Sequence, residues 1–152
     1  ETNAVGELCV RGPQVMSGYW KSEVSGLDEN NWFMTGDIAR IDETGNIFIV
    51  DRKKDMIIVS GFNVFPNEVE AVVNEHPSVL ECGCVGIEGE DSQELVKVFI
   101  VLHDGQSASE DEIIDFCREK LTAYKVPKHI EFINEIPKTN VGKVLRRELK
   151  EN

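Results

Sequence analysis

Basic residues are scarce in this 152-residue sequence: 16 Lys and Arg stand against 28 Asp and Glu, a net charge of −12. That deficit argues against nucleic acid and anionic membranes as partners of the whole surface, since both require cations to meet their phosphates. Long hydrophobic runs are missing too. The longest, Val98 to Leu102, falls far short of the roughly 20 residues that a membrane-spanning helix needs. No succession of basic, apolar and small residues marks a signal peptide at the N-terminus, and the first residue is Glu1 rather than Met. Cysteine is sparse: Cys9, Cys82, Cys84 and Cys117 lack metal-ligand spacing and sit in apolar contexts, which predicts buried free thiols in a reducing cytosol. The three histidines, His76, His103 and His129, have no acid–base companions nearby in sequence and receive no catalytic role. Internal repeats and low-complexity segments are also absent.

What is present is organised. Residues up to about 50 read as β-rich, with a strand at Glu7 to Arg11 and a hairpin of Ile38 to Ile41 and Asn46 to Val50 around the turn-forming Asp42-Glu43-Thr44-Gly45. Gly12-Pro13 and Ser25-Gly26 punctuate the rest. So few strands cannot enclose a core, so this stretch reads as the edge of something larger.

Beyond Asp51 the pattern predicts a strand at Met56 to Val59, a turn at Ser60-Gly61 and a helix from Pro66 to Glu75 with Val69, Val72 and Val73 on one face. Strands follow at Val79 to Ile87 and Leu95 to Leu102, joined by the acidic turn Glu88 to Glu94. The second of these suits a strand covered on one face and partly on the other. Ser109-Glu110-Asp111-Glu112 is a capping box opening a helix that Lys125-Val126-Pro127 stops. Ile130 to Ile133 is a last strand and Val144 to Lys150 a last short helix. The fold class is α+β: a small domain with a three-stranded sheet covered by helices, preceded by a β-hairpin-rich piece.

Three constellations carry chemistry. Thr35-Gly36-Asp37, at the end of a loop before a strand, offers a carboxylate that can accept hydrogen bonds from a vicinal diol such as a ribose; alone it also reads as a loop-capping Asp. Asp51-Arg52-Lys53-Lys54-Asp55 reads equally as a solvated linker or, through the planar fork of Arg52, as a ribose or phosphate contact. Pro137 to Lys143 is a polar, Gly-containing loop with Lys143 at its tip, ahead of Arg146 and Arg147. It is not a P-loop, because the glycine spacing and the following Ser/Thr are missing. An ammonium on a mobile loop can nevertheless meet charge developing on a phosphoryl centre. Five of the thirteen residues from Lys138 to Lys150 are basic, which fits either a small polyanion such as a nucleotide or a solvated terminal helix.

Taken together, the constellations are far more specific. Asn30 to Asp37 with Ile49 to Lys54 resembles the signature of fatty-acyl-CoA synthetases. Met56 to Glu70, and Pro137 to Arg147, resemble later core motifs of the adenylate-forming superfamily, which includes firefly luciferase and the adenylation domains of peptide synthetases. The similarity runs from Gly6 to Leu149 and looks closest to bacterial long-chain-fatty-acid–CoA ligases. Asn31, where the signature usually has Gly, and Met34, where it often has His, depart from it.

The resemblance implies a two-step enzyme that forms an acyl-adenylate from a fatty acid and ATP, then transfers the acyl group to coenzyme A. On the matching positions Lys143 is the catalytic lysine of the first step, Asp37 and Arg52 bind the nucleotide ribose, Lys54 is the hinge, and Gly61 lies on the loop lining the CoA tunnel. Residues 1–50 would be the tail of a large adenylation domain, part of its β-barrel, and residues 51–152 the mobile C-terminal domain, with the rest of the large domain absent upstream. Mg2+ would be held mainly by that absent part, and the 152 residues alone are expected to be inactive. Partners would be ATP, fatty acid, CoA and the protein's own N-terminal domain, with no nucleic acid. The expected location is cytoplasmic, with room for peripheral membrane association of the full-length enzyme. Alternatives are a medium-chain or aryl-acid ligase of the same superfamily, or a stand-alone non-catalytic α+β binding module.

Overall fold

The computed structural model describes residues 3–21, 26–89 and 93–151, so Ser25 of the Ser25-Gly26 turn and the centre of the acidic connection Glu88 to Glu94 lie outside the described residues. The chain divides into two compact units, 1–54 and 55–152.

In the first unit β1 (Val5–Val10), β2 (Phe33–Ile41) and β3 (Ile47–Arg52) form an antiparallel sheet in the order β1-β2-β3. The expected piece of β-barrel is here an open sheet; no closed barrel is formed among the described residues. Its β2–β3 turn is built by one side chain. Asp42 accepts the backbone N–H of Thr44 and of Asn46, the Thr44 hydroxyl and the Asn46 amide, at 2.8 to 3.1 Å. These bonds favour the carboxylate and hold Asp42 at a pKa of about 2.

In the second unit β4 (Ile57–Val59) and β5 (Phe62–Val64) make a separate two-stranded hairpin. The sequence reading missed β5, which is too short for alternation to register. Ser60 (φ 50°) and Gly61 (φ 84°) are its loop, both left-handed as a two-residue hairpin turn matched to strand twist requires. Helix α1 (Pro66–Val73) precedes β6 (Val79–Glu88) and β7 (Glu94–Leu102); then come α2 (Glu110–Arg118), β8 (His129–Phe132) and α3 (Arg146–Glu151). The sheet order is β6-β7-β8, with β6–β7 antiparallel and β7–β8 parallel.

As the sequence suggests, β7 is covered fully on one face and partly on the other, where Leu95 and Lys97 are half-buried and Lys97 pairs with Glu131. Val96, Val98 and Ile100 join Val69 and Val73 of α1 and Ile113 and Cys117 of α2 in one cluster. The alternate residues Phe99 and Val101 join Ile136 and Leu149 in a second cluster on the other face. The capping box is present: Glu112 N–H donates to Ser109 Oγ and Ser109 N–H to Glu112 Oε2. Helix α2 ends at Arg118, however, well before Lys125; a 3-10 turn, Ala123–Lys125, intervenes.

The four cysteines are free, but only Cys82, Cys84 and Cys117 are buried. Cys9 lies on β1 of the open sheet and is half-buried, its thiol 3.2 Å from Met34 Sδ. Burial pushes the Cys82 thiol far up and the Cys117 thiol to about 11. No helix among the described residues is long and apolar enough to cross a membrane.

Candidate functional site

Thr35-Gly36-Asp37 does not end a loop; it lies inside β2. Between the pairs Glu7↔Ile38 and Cys9↔Met34 the register shifts, so these three residues bulge out of the ladder, and Gly36 takes φ +74°. A strand can run through them because Gly36 adopts that conformation without steric cost. The Thr35 hydroxyl fixes the bulge, donating to Leu8 O (2.8 Å) and accepting Asp37 N–H (3.1 Å). The bulge sets Asp37 opposite Arg52 of β3. Arg52 Nε lies 2.8 Å from Asp37 Oδ1, and the side chains are 57% and 27% exposed. The half-buried carboxylate can accept from hydroxyls of a small polar ligand, and the exposed guanidinium fork beside it can donate to that ligand's oxygens.

The run Asp51 to Asp55 is not a uniformly solvated linker. Asp51 is buried and ends the strand with Arg52, whose N–H donates to Asp51 Oδ1 (2.8 Å). Lys53–Asp55 form a 3-10 turn; Lys53 pairs with Glu7 at 2.7 Å, while Lys54 is exposed and forms no ion pair among the described residues. The division between the two units falls after Lys54.

Gly61 is held at its position by backbone conformation. A Cβ there would meet nothing within 4 Å, so the positive φ, and not crowding within this chain, is what favours glycine.

The Pro137 to Lys143 segment is part of a closed hairpin, and Lys143 is the first residue past its turn. Gly142 N–H donates to Thr139 O (2.9 Å) and Thr139 N–H to Lys143 O (2.8 Å). Lys143 N–H donates to Thr139 Oγ1 (3.1 Å), and Leu145 N–H closes on Pro137 O (2.8 Å). Asn140 and Val141 form the turn, with Gly142 at φ +79°. Bonds to Thr139 thus pin the Lys143 backbone on both sides, while its side chain stays exposed.

Three of the neighbouring cations are paired. Lys138 pairs with Glu81, Arg146 with Glu70, and Arg147 with Glu151. Lys143 and Lys150 form no ion pair among the described residues, so two of the tail's five bases, not a five-fold cluster, stay open to a polyanion. Glu70 and Glu81 escaped the sequence reading. Glu70 had a signal: with Pro66, Val69 and Val73 it falls on the core-facing stripe of α1, where an acid demands a cation. Among the described residues no three His, Cys, Asp or Glu side chains gather to hold a metal ion.

Comparison with known proteins agrees with this architecture. Residues 68–143 match the AMP-binding enzyme C-terminal domain. The chain is 57% identical over 148 residues to a long-chain-fatty-acid–CoA ligase of Escherichia coli O157:H7, covering 96% of this chain and 26% of that protein. It is 44% identical over 147 residues to a 2-succinylbenzoate–CoA ligase of Geobacillus kaustophilus, covering 95% of this chain and 30% of that protein. The crystal structure of ATP-bound MatB from Rhodopseudomonas palustris superposes with a TM-score of 0.92 at 32% identity, over 99% of this chain and 31% of that one. The chain therefore spans only about a quarter of the length of the long-chain-fatty-acid–CoA ligase it matches. With half its residues, from the helix bearing Glu70 to Lys143, inside one family's boundaries, it belongs to the AMP-binding enzyme C-terminal domain family.

Proposed function

We propose that this chain is the nucleotide-handling C-terminal portion of an ATP-dependent long-chain-fatty-acid–CoA ligase. The observation that carries the reading is Lys143: an exposed ammonium on a pinned backbone, with no ion pair among the described residues, between Lys138 and Arg146, which carboxylates already hold. The 57% identity to a ligase of that name supports the substrate class. In the first half-reaction a fatty carboxylate oxygen attacks the α-phosphorus of ATP, and the bond to the β-phosphate oxygen breaks to release pyrophosphate. Lys143 would stabilise the negative charge gathering on the α-phosphate and the attacking carboxylate, a gain realised mainly in the transition state. Asp37 would accept the ribose hydroxyls and Arg52 would hold Asp37 and donate to the same sugar. Mg2+ enters with ATP as substrate. In the second half-reaction the CoA thiol attacks the acyl carbonyl, AMP leaves, and the thiol proton is lost. Lys54 would be the pivot between the two poses and Gly61 would border the path of the CoA thiol.

A second reading, an aryl-acid CoA ligase, is favoured by the 44% identity to a 2-succinylbenzoate–CoA ligase; the acid preference of the full-length enzyme separates the two. The test of the main reading is single-turnover kinetics of each half-reaction. Lys143→Ala should slow acyl-adenylate formation by roughly 100- to 1000-fold, the usual loss of one preorganised donor. Thioester formation from supplied acyl-adenylate should stay unchanged. Lys143→Arg should rescue poorly, because a planar fork does not reproduce a compact charge. Adenylation by Lys143→Ala at the wild-type rate would make Lys143 an ordinary surface lysine.

A further inference from the structure

Lys143 occupies an exposed hairpin, so its direction depends on what holds the base of that hairpin. Apolar packing contributes one part: Val144 and Leu149 lie over Gly83 of β6, where an added Cβ would be 3.3 Å from Val144 and 2.6 Å from Leu149. Such contacts fix distance better than direction. The Lys138–Glu81 pair is a second tie, but both side chains are more than a quarter exposed, so it is weak.

The third tie is of another kind. Arg146 directly follows Leu145, whose N–H closes the hairpin on Pro137 O. Its Nη2 donates to both carboxylate oxygens of Glu70 at 2.9 Å and to Asn67 Oδ1 at 2.8 Å, and Asp55 Oδ2 lies 3.8 Å from Nη1. Arg146 and Glu70 are only 16% and 14% exposed. Glu70 in turn accepts the backbone N–H of Cys84 at 2.8 Å, on the edge strand β6. One carboxylate of α1 therefore joins the sheet edge to the first residue of α3, three residues beyond Lys143. A largely desolvated, directional pair fixes orientation in a way that apolar contacts do not, and losing one partner strands a charge.

We propose that Arg146, anchored by Glu70, is a positioning residue for Lys143. It touches no substrate; it sets the angle at which the hairpin presents the ammonium. The proposal rests on the role of Lys143 given above.

The test is a double-mutant cycle in the full-length enzyme, read by single-turnover rates of each half-reaction. Arg146→Gln should lower acyl-adenylate formation by roughly 10- to 100-fold, the scale of an ångström-sized misplacement. Thioester formation from supplied acyl-adenylate should hold its wild-type rate. In a Lys143→Ala background the same substitution should do nothing further, because the group it positions is gone. Equal loss in both half-reactions, or equal loss with and without Lys143, would reduce Arg146 to a structural residue and overturn the proposal. If thermal melting shows that Arg146→Gln does not fold, Arg146→Lys, which keeps the charge and loses the fork, is put through the same cycle under the same criteria. The two readings separate cleanly. Lys143→Ala at the wild-type rate overturns both, whereas a slow Lys143→Ala beside a wild-type Arg146→Gln overturns the positioning role alone.

Discussion

Asp37 and Arg52 face one another across adjacent antiparallel strands, and their 2.8 Å ion pair sits where Gly36 lifts the chain out of the β-ladder. A pair whose guanidinium is 57% exposed contributes little to stability, about 0.2–1 kcal/mol. Its geometry instead suits a ligand. Arg52→Ala and Asp37→Asn should therefore leave the melting temperature of the full-length enzyme almost unchanged. Both should weaken ATP binding by roughly tenfold or more, the loss of one or two charge-assisted hydrogen bonds. Isothermal titration beside a melting curve measures both quantities. A large melting shift with intact affinity would make the pair structural.

Lys54 ends the first unit within a 3-10 turn and has no ion pair to hold it among the described residues. If its dihedrals change between the two half-reactions, Lys54→Pro should block the change, because proline fixes φ and removes the N–H. Adenylation should survive while thioester formation collapses. Rates that fall equally in both half-reactions would count against a pivot.

Val144 and Leu149 both pack closely over Gly83 of β6. Gly83→Ala places a methyl 2.6 Å from Leu149 Cδ1, and Leu149 is buried with little room to retreat. Overpacking of this kind costs about 1–3 kcal/mol, offset in part by the lower backbone entropy of alanine in the unfolded chain. Denaturant unfolding should show a net loss of about 1–2 kcal/mol. Gly83→Ala with Leu149→Ala should be less destabilising than the sum of the single changes, since the second removes the clashing atom.

Cys117 should give alkaline stability a distinct component. Its thiol is raised by burial from 9.0 to about 11 in the folded protein. Between those values the unfolded chain loses the proton while the folded chain keeps it, so the unfolded state binds fewer protons and stability falls as pH rises. Below pH 9 this group contributes no slope. The expected decline is at most about 1.4 kcal/mol per pH unit. Unfolding free energies from pH 8 to 11 should flatten in Cys117→Ala relative to the parent. Identical slopes would show that the thiol does not titrate with folding.

Several features were settled by the sequence itself, because their physics is local. Ser109 and Glu112 cap α2 through bonds spanning three residues. Ser60-Gly61 forms a left-handed two-residue loop because glycine, unlike most residues, accepts positive φ. Asp42 draws Thr44 and Asn46 around itself. The alternation of Val96, Val98 and Ile100 marked a strand, and the ordered motifs from Asn30 to Arg147 marked the family.

Only the tertiary structure decided the rest. It put Thr35-Gly36-Asp37 inside a strand, because a bulge depends on the register of the partner β1. It placed β7 at the centre of the sheet and set Phe99 and Val101 against Ile136 and Leu149, which lie far along the chain. It turned the open loop bearing Lys143 into a closed hairpin, with Lys143 just past the turn and bonded to Thr139. Arg146, which in sequence is one more base of a charged tail, became the partner of Glu70, 76 residues away. Side-chain chemistry names what a residue can bind; which of those bonds it makes depends on neighbours that the chain supplies only once it has folded.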